Sequence, residues 1–180
     1  PEIAALFEKY KLPLSPCHND TTPTNFLLSG KINKRKKNQG DSQAEEFRPY
    51  NDKEETLVPL DYEYSGNNDA FWDLAYFALY GKLSEEQIKI FFKAYYGECI
   101  EQMLAWYEVY KPVIAWWVAI WSWTEIINHA DAAAPKSYEE LAMEYYMLTK
   151  EFLNSPNFKE ALKIIEEETI TPSFSASRSF

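Results

Sequence analysis

Five polar residues in two short stretches are of the types that phosphate chemistry uses. In CHNDTTPTNF, residues 17–26, His18, Asp20 and Asn25 share one loop around Pro23. In LVPLDYEYS, residues 57–65, Asp61 and Glu63 follow an apolar run. An amide oxygen such as that of Asn25 and a carboxylate such as Asp61 are hard ligands suited to Mg²⁺, an ion that keeps waters and phosphate oxygens around it. A separate loop carboxylate, Asp20, can take the proton of an attacking hydroxyl. That division of labour is what phosphoryl transfer to an alcohol requires.

Such residues act together only if the chain brings the two stretches side by side. FLLSG (26–30) is short, apolar and closed by glycine, which predicts a strand. TLVPLDYEY (56–64) predicts a second strand with Asp61 and Glu63 at its C-terminal end. The two are expected to pair as one hairpin carrying the loop and the metal-binding Asp. Between them lies 31–55, a basic block (Lys34 to Lys37) followed by an acidic one. With almost no apolar content it cannot bury enough surface to offset its ordering entropy, so it reads as a flexible insertion loop.

Helical patterns account for most of the rest. EIAALFEKY (2–10) is amphipathic, SGNND (65–69) reads as a turn with capping character, and AFWDLAYFALYG (70–81) has helical spacing ending in glycine. Ser84 to Gln87 forms a capping-box pattern opening a helix over 85–110. Pro112 is expected to break it and open another over 113–130, and helices over 137–154 and 157–168 follow. Residues 169–180 read as a tail. The fold class is therefore α+β, mostly helical, in one domain.

Composition narrows the partners. A net charge of −10 argues against nucleic acid and anionic membrane surfaces. PVIAWWVAIWSW (112–123) is too short to span a bilayer, which speaks against membrane insertion. Two distant cysteines match neither zinc spacing nor a disulfide framework and point to a reducing, cytoplasmic setting. Aromatic residues reach 17%, chiefly as expected core of large side chains.

The two motifs together resemble the C-terminal lobe of choline/ethanolamine kinases, a branch of the kinase-like aminoglycoside phosphotransferase superfamily. The family's H-x-D-x-x-x-x-N loop is matched by His18, Asp20 and Asn25, and its I-D-[FW]-E-Y-[SA] motif by Asp61 to Ser65. Asn19, with Cys17 before it, is more typical of the choline branch than of antibiotic kinases. NDAFWDLA (68–75) is most similar to bacterial choline kinases that supply phosphocholine for surface glycans.

The resemblance implies a protein-kinase-like C-lobe over 1–168, with ATP as co-substrate and Mg²⁺ as cofactor. It implies Asp20 as general base and Asn25 and Asp61 as metal ligands. Glu63 would lie near a cationic head group, His18 would be a scaffold residue, and Asp73 would brace the catalytic loop by accepting its backbone hydrogen bonds. Quaternary ammonium is recognised by aromatic faces. WWVAIWSW (116–123) is similar to the family's F-x-W-G-L-W-S, which singles out Trp121 and, with Tyr138, the pocket. Trp117, Trp123 and Tyr64 are further candidates. The box departs from the pattern at Val118 and Leu141, where aromatic residues are expected.

No Gly-rich loop exists among 5 glycines and nothing resembles a nucleotide-binding N-lobe, so a fragment or truncated relative, weakly active or inactive alone, is expected. The chain starting at Pro1 without a methionine agrees with that expectation. Two alternatives compete: a non-catalytic choline-binding or scaffold module, and a kinase for another cationic alcohol such as an aminoglycoside. Choline versus ethanolamine, and whether the chain forms a homo-oligomer, stay open at this point.

Overall fold

A computed structural model describes residues 2–11, 13–29, 56–128 and 136–167; the 31–55 insertion and the 169–180 tail lie outside the described residues. The chain is mostly helical with two small antiparallel sheets, an α+β arrangement. The core is built on α4 (Glu101–Ile127), which packs against α5 (Tyr138–Asn154), α6 (Pro156–Glu167) and α2 (Ala70–Tyr80). Large rings fill it. Trp106, Tyr110, Phe71 and Phe92 are fully buried, and Phe71 meets Phe92 and Tyr110 at 5.2 and 5.3 Å between centroids. The first helix, α1 (Glu2–Lys9), docks its amphipathic face on this core, with Phe7 at 5.7 Å from Trp106 and Tyr10 just beyond the helix at 6.1 Å.

The expected hairpin is present: β2 (Phe26–Ser29) pairs antiparallel with β3 (Thr56–Pro59), Phe26 opposite Pro59. The second strand, however, ends at Pro59, so Asp61 and Glu63 lie beyond it. The reason is local, because Asp61 adopts φ +62°, a left-handed conformation that interrupts a regular extended ladder. A second pairing escapes sequence patterning altogether. Residues Gly66–Asp69, expected as a turn, form β4 and pair with β1 (Leu14–Cys17), Cys17 opposite Gly66. Neither LSPC nor GNND has the β-branched or aromatic content that marks a strand. The capping expectation holds at the end of β4, where the Asp69 carboxylate accepts the Trp72 N–H at 3.0 Å and opens α2.

Two helix boundaries differ from expectation. The capping box of Ser84 and Gln87 does open α3 (Glu85–Tyr96), but that helix stops at Gly97, which takes φ 86°. Conversely, Pro112 does not break a helix but lies inside α4, buried. Proline removes one backbone bond there, yet Val109, Tyr110, Ile114, Ala115 and Val118 on either side continue one buried face. Burial of that face against α5 and α6 outweighs the local preference. The second capping box, Ser137 with Glu140, opens α5 as its sequence predicts.

Candidate active site

Asp73, in the first turn of α2, organises the loop that contains Asp20. Its carboxylate accepts the backbone N–H of His18 at 2.7 Å and of Asn19 at 2.8 Å, and the Thr21 hydroxyl donates to its carbonyl at 2.6 Å. Burial pushes the Asp73 carboxyl above its usual range, against the opposing pull of those two N–H donors. The loop is thus tied to a helix by directional bonds.

His18 ties the same loop to the second motif. Its Nε2–H donates to the Leu60 carbonyl at 2.6 Å, which leaves Nδ1 to accept the Asp20 N–H at 3.3 Å. Both ring nitrogens are satisfied by one neutral tautomer. The ring is buried, 4.8 Å from the Tyr62 ring and 6.2 Å from that of Phe26. Leu60 also donates its N–H to the Asn25 carbonyl at 2.8 Å, so the residue before Asp61 is held from both sides. The Asn25 side-chain N–H₂ group spans Asp20, donating to its carbonyl at 3.0 Å and to its Oδ2 at 2.8 Å. The harder donor of Asn25, its amide oxygen, stands outside that pair.

A cleft of about 680 Å³ opens above these residues. Asp20, Asn25, Asp61, Glu63 and Tyr64 line it from the loops, and Trp117 and Trp121 of α4 and Tyr138 of α5 line it from the helices. His18 and Asp73 stand behind the lining. The aromatic wall has its own links: the Trp121 indole N–H donates to the Tyr64 hydroxyl at 3.2 Å, and its ring meets Tyr138 edge-on at 5.5 Å. Trp123 lies elsewhere on α4, 6.0 Å from Trp116 and 5.9 Å from Tyr146, and is not part of the lining. Val118 and Leu141 do line the cleft, as apolar surface where the family resemblance implies rings.

The lining also includes residues not expected as site residues, Thr22 and Thr24 in the loop and three with structural links of their own. Tyr76 and Tyr80 stack at 4.8 Å, nearly parallel, and Tyr80 continues the stack onto Tyr145 of α5 at 5.7 Å. Burial pushes all three hydroxyls above the usual phenol range, and the Asp20 charge adds to this at Tyr76, so they remain neutral donors. Helical spacing of 73, 76 and 80 on the α2 face carried that signal. The third is Asn19, whose φ of 66° asks for asparagine, aspartate or glycine. Cys17, by contrast, is buried with its thiol on the carbonyls of Asn68 and Asp69, a packing role.

Among the described residues no group of three or more His, Cys, Asp or Glu forms a metal cage. The donor set in the cleft, one amide oxygen and one carboxylate, nevertheless fits Mg²⁺, which needs few protein ligands.

The chain matches no family model and no curated protein. In fold it is similar to a crystal structure of a choline/ethanolamine kinase family protein from Mesorhizobium loti, with a TM-score of 0.67 at 20% sequence identity. The likeness covers 92% of this chain and 48% of that one, so the chain spans about half the neighbour's length. The fold resemblance expected from the two motifs is therefore found, over part of a larger protein.

Proposed function

We propose that the cleft serves transfer of the terminal phosphoryl group of ATP to the hydroxyl of choline or a related amino alcohol, giving phosphocholine or the corresponding ester and ADP. One observation carries this reading: a single cleft is lined both by Asp20, Asn25, Asp61 and Glu63 and by aromatic side chains from the helices, Trp117, Trp121 and Tyr138 among them. The acceptor oxygen attacks the γ-phosphorus, its proton passes to the Asp20 carboxylate, and the bond to the bridging oxygen of ADP breaks. Asn25, through its amide oxygen, and Asp61 are the residues that would hold Mg²⁺. That ion supplies charge neutralisation at the phosphate oxygens.

The rest of the chemistry belongs to this chain's side chains. The Asn25 amide keeps the Asp20 carboxylate in one orientation. Trp117, Trp121, Tyr64 and Tyr138 offer ring faces to a quaternary ammonium group that cannot donate hydrogen bonds, and Glu63 adds a compensating charge. A cytoplasmic setting follows from the need for ATP, and no helix among the described residues is long and apolar enough to cross a membrane.

The second reading is a binding module without turnover, in which the same aromatic lining holds a cation and no phosphoryl group is transferred. Phosphorus NMR of ATP, Mg²⁺ and a panel of choline, ethanolamine and an aminoglycoside tests both. The longest natural form of the protein is expected to phosphorylate choline or ethanolamine, and Asp20→Ala to abolish turnover while choline binding persists. The 180 residues alone are expected to be slow or inactive. Choline binding without nucleotide binding or ester formation in any form would select the module, and preference for the aminoglycoside would replace the acceptor.

A further inference from the structure

The two parts of the cleft reach it from different elements, and one residue joins them. Asn19, next to Asp20, uses every polar group it has. Its backbone N–H goes to Asp73 at 2.8 Å and its carbonyl accepts the Trp72 indole N–H at 3.2 Å. Its side-chain Nδ2 donates to the Tyr64 carbonyl at 2.9 Å, and its Oδ1 accepts from the Asn68 amide at 3.0 Å. Tyr64 then accepts from Trp121 at its hydroxyl, and Trp121 meets Tyr138. A continuous line of contacts therefore runs from the residue beside Asp20, through the turn after Asp61, to α4 and α5.

The backbone alone does not account for this residue. At φ 66° glycine would satisfy the conformation with less strain. What glycine lacks is the pair of side-chain bonds, one donated and one accepted. Aspartate could accept from Asn68 but could not donate to the Tyr64 carbonyl, and it would set a charge against that oxygen.

Resting on the reading of the cleft as an acceptor site, we propose that Asn19 is a positioning residue for the acceptor: its side-chain amide fixes the Tyr64–Trp121 wall relative to the loop that presents Asp20. It thereby sets both affinity for the cationic head group and the register of the acceptor hydroxyl. Asn19 itself makes no contact with the reacting atoms in this account.

The test uses tryptophan fluorescence of the chain, since Trp117 and Trp121 line the cleft. Choline is titrated, with tetramethylammonium as a probe of the head group alone. Asn19→Gly keeps the left-handed backbone and removes both side-chain bonds; it is expected to weaken choline binding about tenfold with little change in Tm. Asn19→Asp is expected to do the same. Tyr64→Phe cuts the line at its other end, and its loss of affinity is expected to be less than additive with that of Asn19→Gly. In an active form of the protein, Asn19→Gly raises the KM for the acceptor and lowers kcat while the KM for ATP is unchanged. A folded Asn19→Gly that binds choline as tightly as the parent overturns the proposal, as does full additivity with Tyr64→Phe. Should Asn19→Gly fail to fold, Asn19→Asp with unaltered affinity overturns it equally. If the parent chain binds neither cation, the acceptor reading itself falls, and this inference with it.

Discussion

The two halves of the molecule that meet at the cleft are held together by different forces. In the loop-built half, residues 14–29 and 56–69, large apolar side chains stay in solvent: Leu27, Leu28 and Leu57 are 54%, 59% and 56% exposed. What fixes this half is a set of bonds between side chains and backbone: those of Asp73, His18 and Asn19 each join two distant stretches, and that of Asn25 closes the loop on Asp20. In the helical half, Trp106, Phe92, Ile114 and Ile165 are entirely buried and ring-on-ring packing dominates. The difference matches what the proposed phosphoryl transfer would ask of each half. A base and two metal ligands need angles, which only directional bonds impose. A ring face offered to a cation needs only a place, which non-directional packing supplies.

Removing each support in turn should have distinct consequences. Trp106→Ala is expected to cost about 4 kcal/mol in urea denaturation, since the ring has neighbours in Phe7, Tyr10 and Tyr110 and no solvent to replace them. Hydrogen exchange should rise throughout the helices. Asp73→Ala is expected to cost less, about 2 kcal/mol, by leaving two N–H groups without their acceptor. Its exchange signature should be local, confined to residues 18–21. Were that segment as protected as in the parent, the hydrogen bonds to Asp73 would not be what holds the loop.

The same division decides how much could be read from sequence. Helices α1, α2, α5 and α6 follow from apolar periodicity and caps within one or two residues, because their determinants are local. Where burial and local preference conflict, periodicity misleads: Pro112 is carried through by its packed face, and Gly97 ends a helix that apolar spacing would continue. In the loop-built half, the motif chemistry of Asp20, Asn25, Asp61 and Glu63 marked residues that the structure brings to one cleft. The pairing of β1 with β4 was not legible. Its strands lie some fifty residues apart, and their residues are chosen for bonds to the loop rather than for strand propensity. Tyr76 and Tyr80 were legible only in their helical spacing from Asp73, because their rings look like ordinary core until α2 is set beside the loop.

A finer separation comes from Trp121, which belongs to both systems. Trp121→Phe keeps a ring against Tyr138 but removes the donor to the Tyr64 hydroxyl. Expected is a loss of about 0.5–1 kcal/mol in stability and a few-fold weaker choline binding. If affinity is unchanged, packing alone places the wall, and the helical half needs no directional help.

The smallest effect separates strain that serves the site from strain that does not. Outside glycine, the described residues in the left-handed region are Asn19, Asp61 and Lys82. Lys82 sits in the turn after α2, far in sequence from both motifs, with its N–H on the Leu79 carbonyl at 3.2 Å. Lysine gains nothing from that conformation, so Lys82→Gly is expected to stabilise the chain by about 0.5 kcal/mol with no change in choline binding. Asp61→Gly relieves the same kind of strain, less of it because aspartate tolerates the region better, and should likewise raise Tm slightly while abolishing turnover. Asp61→Asn, which keeps that tolerance and loses the charge, should leave Tm unchanged and still abolish turnover. A fall in Tm for Asp61→Gly would mean that the carboxylate itself holds the turn, and that the left-handed backbone at Asp61 is paid for locally rather than retained for the cleft.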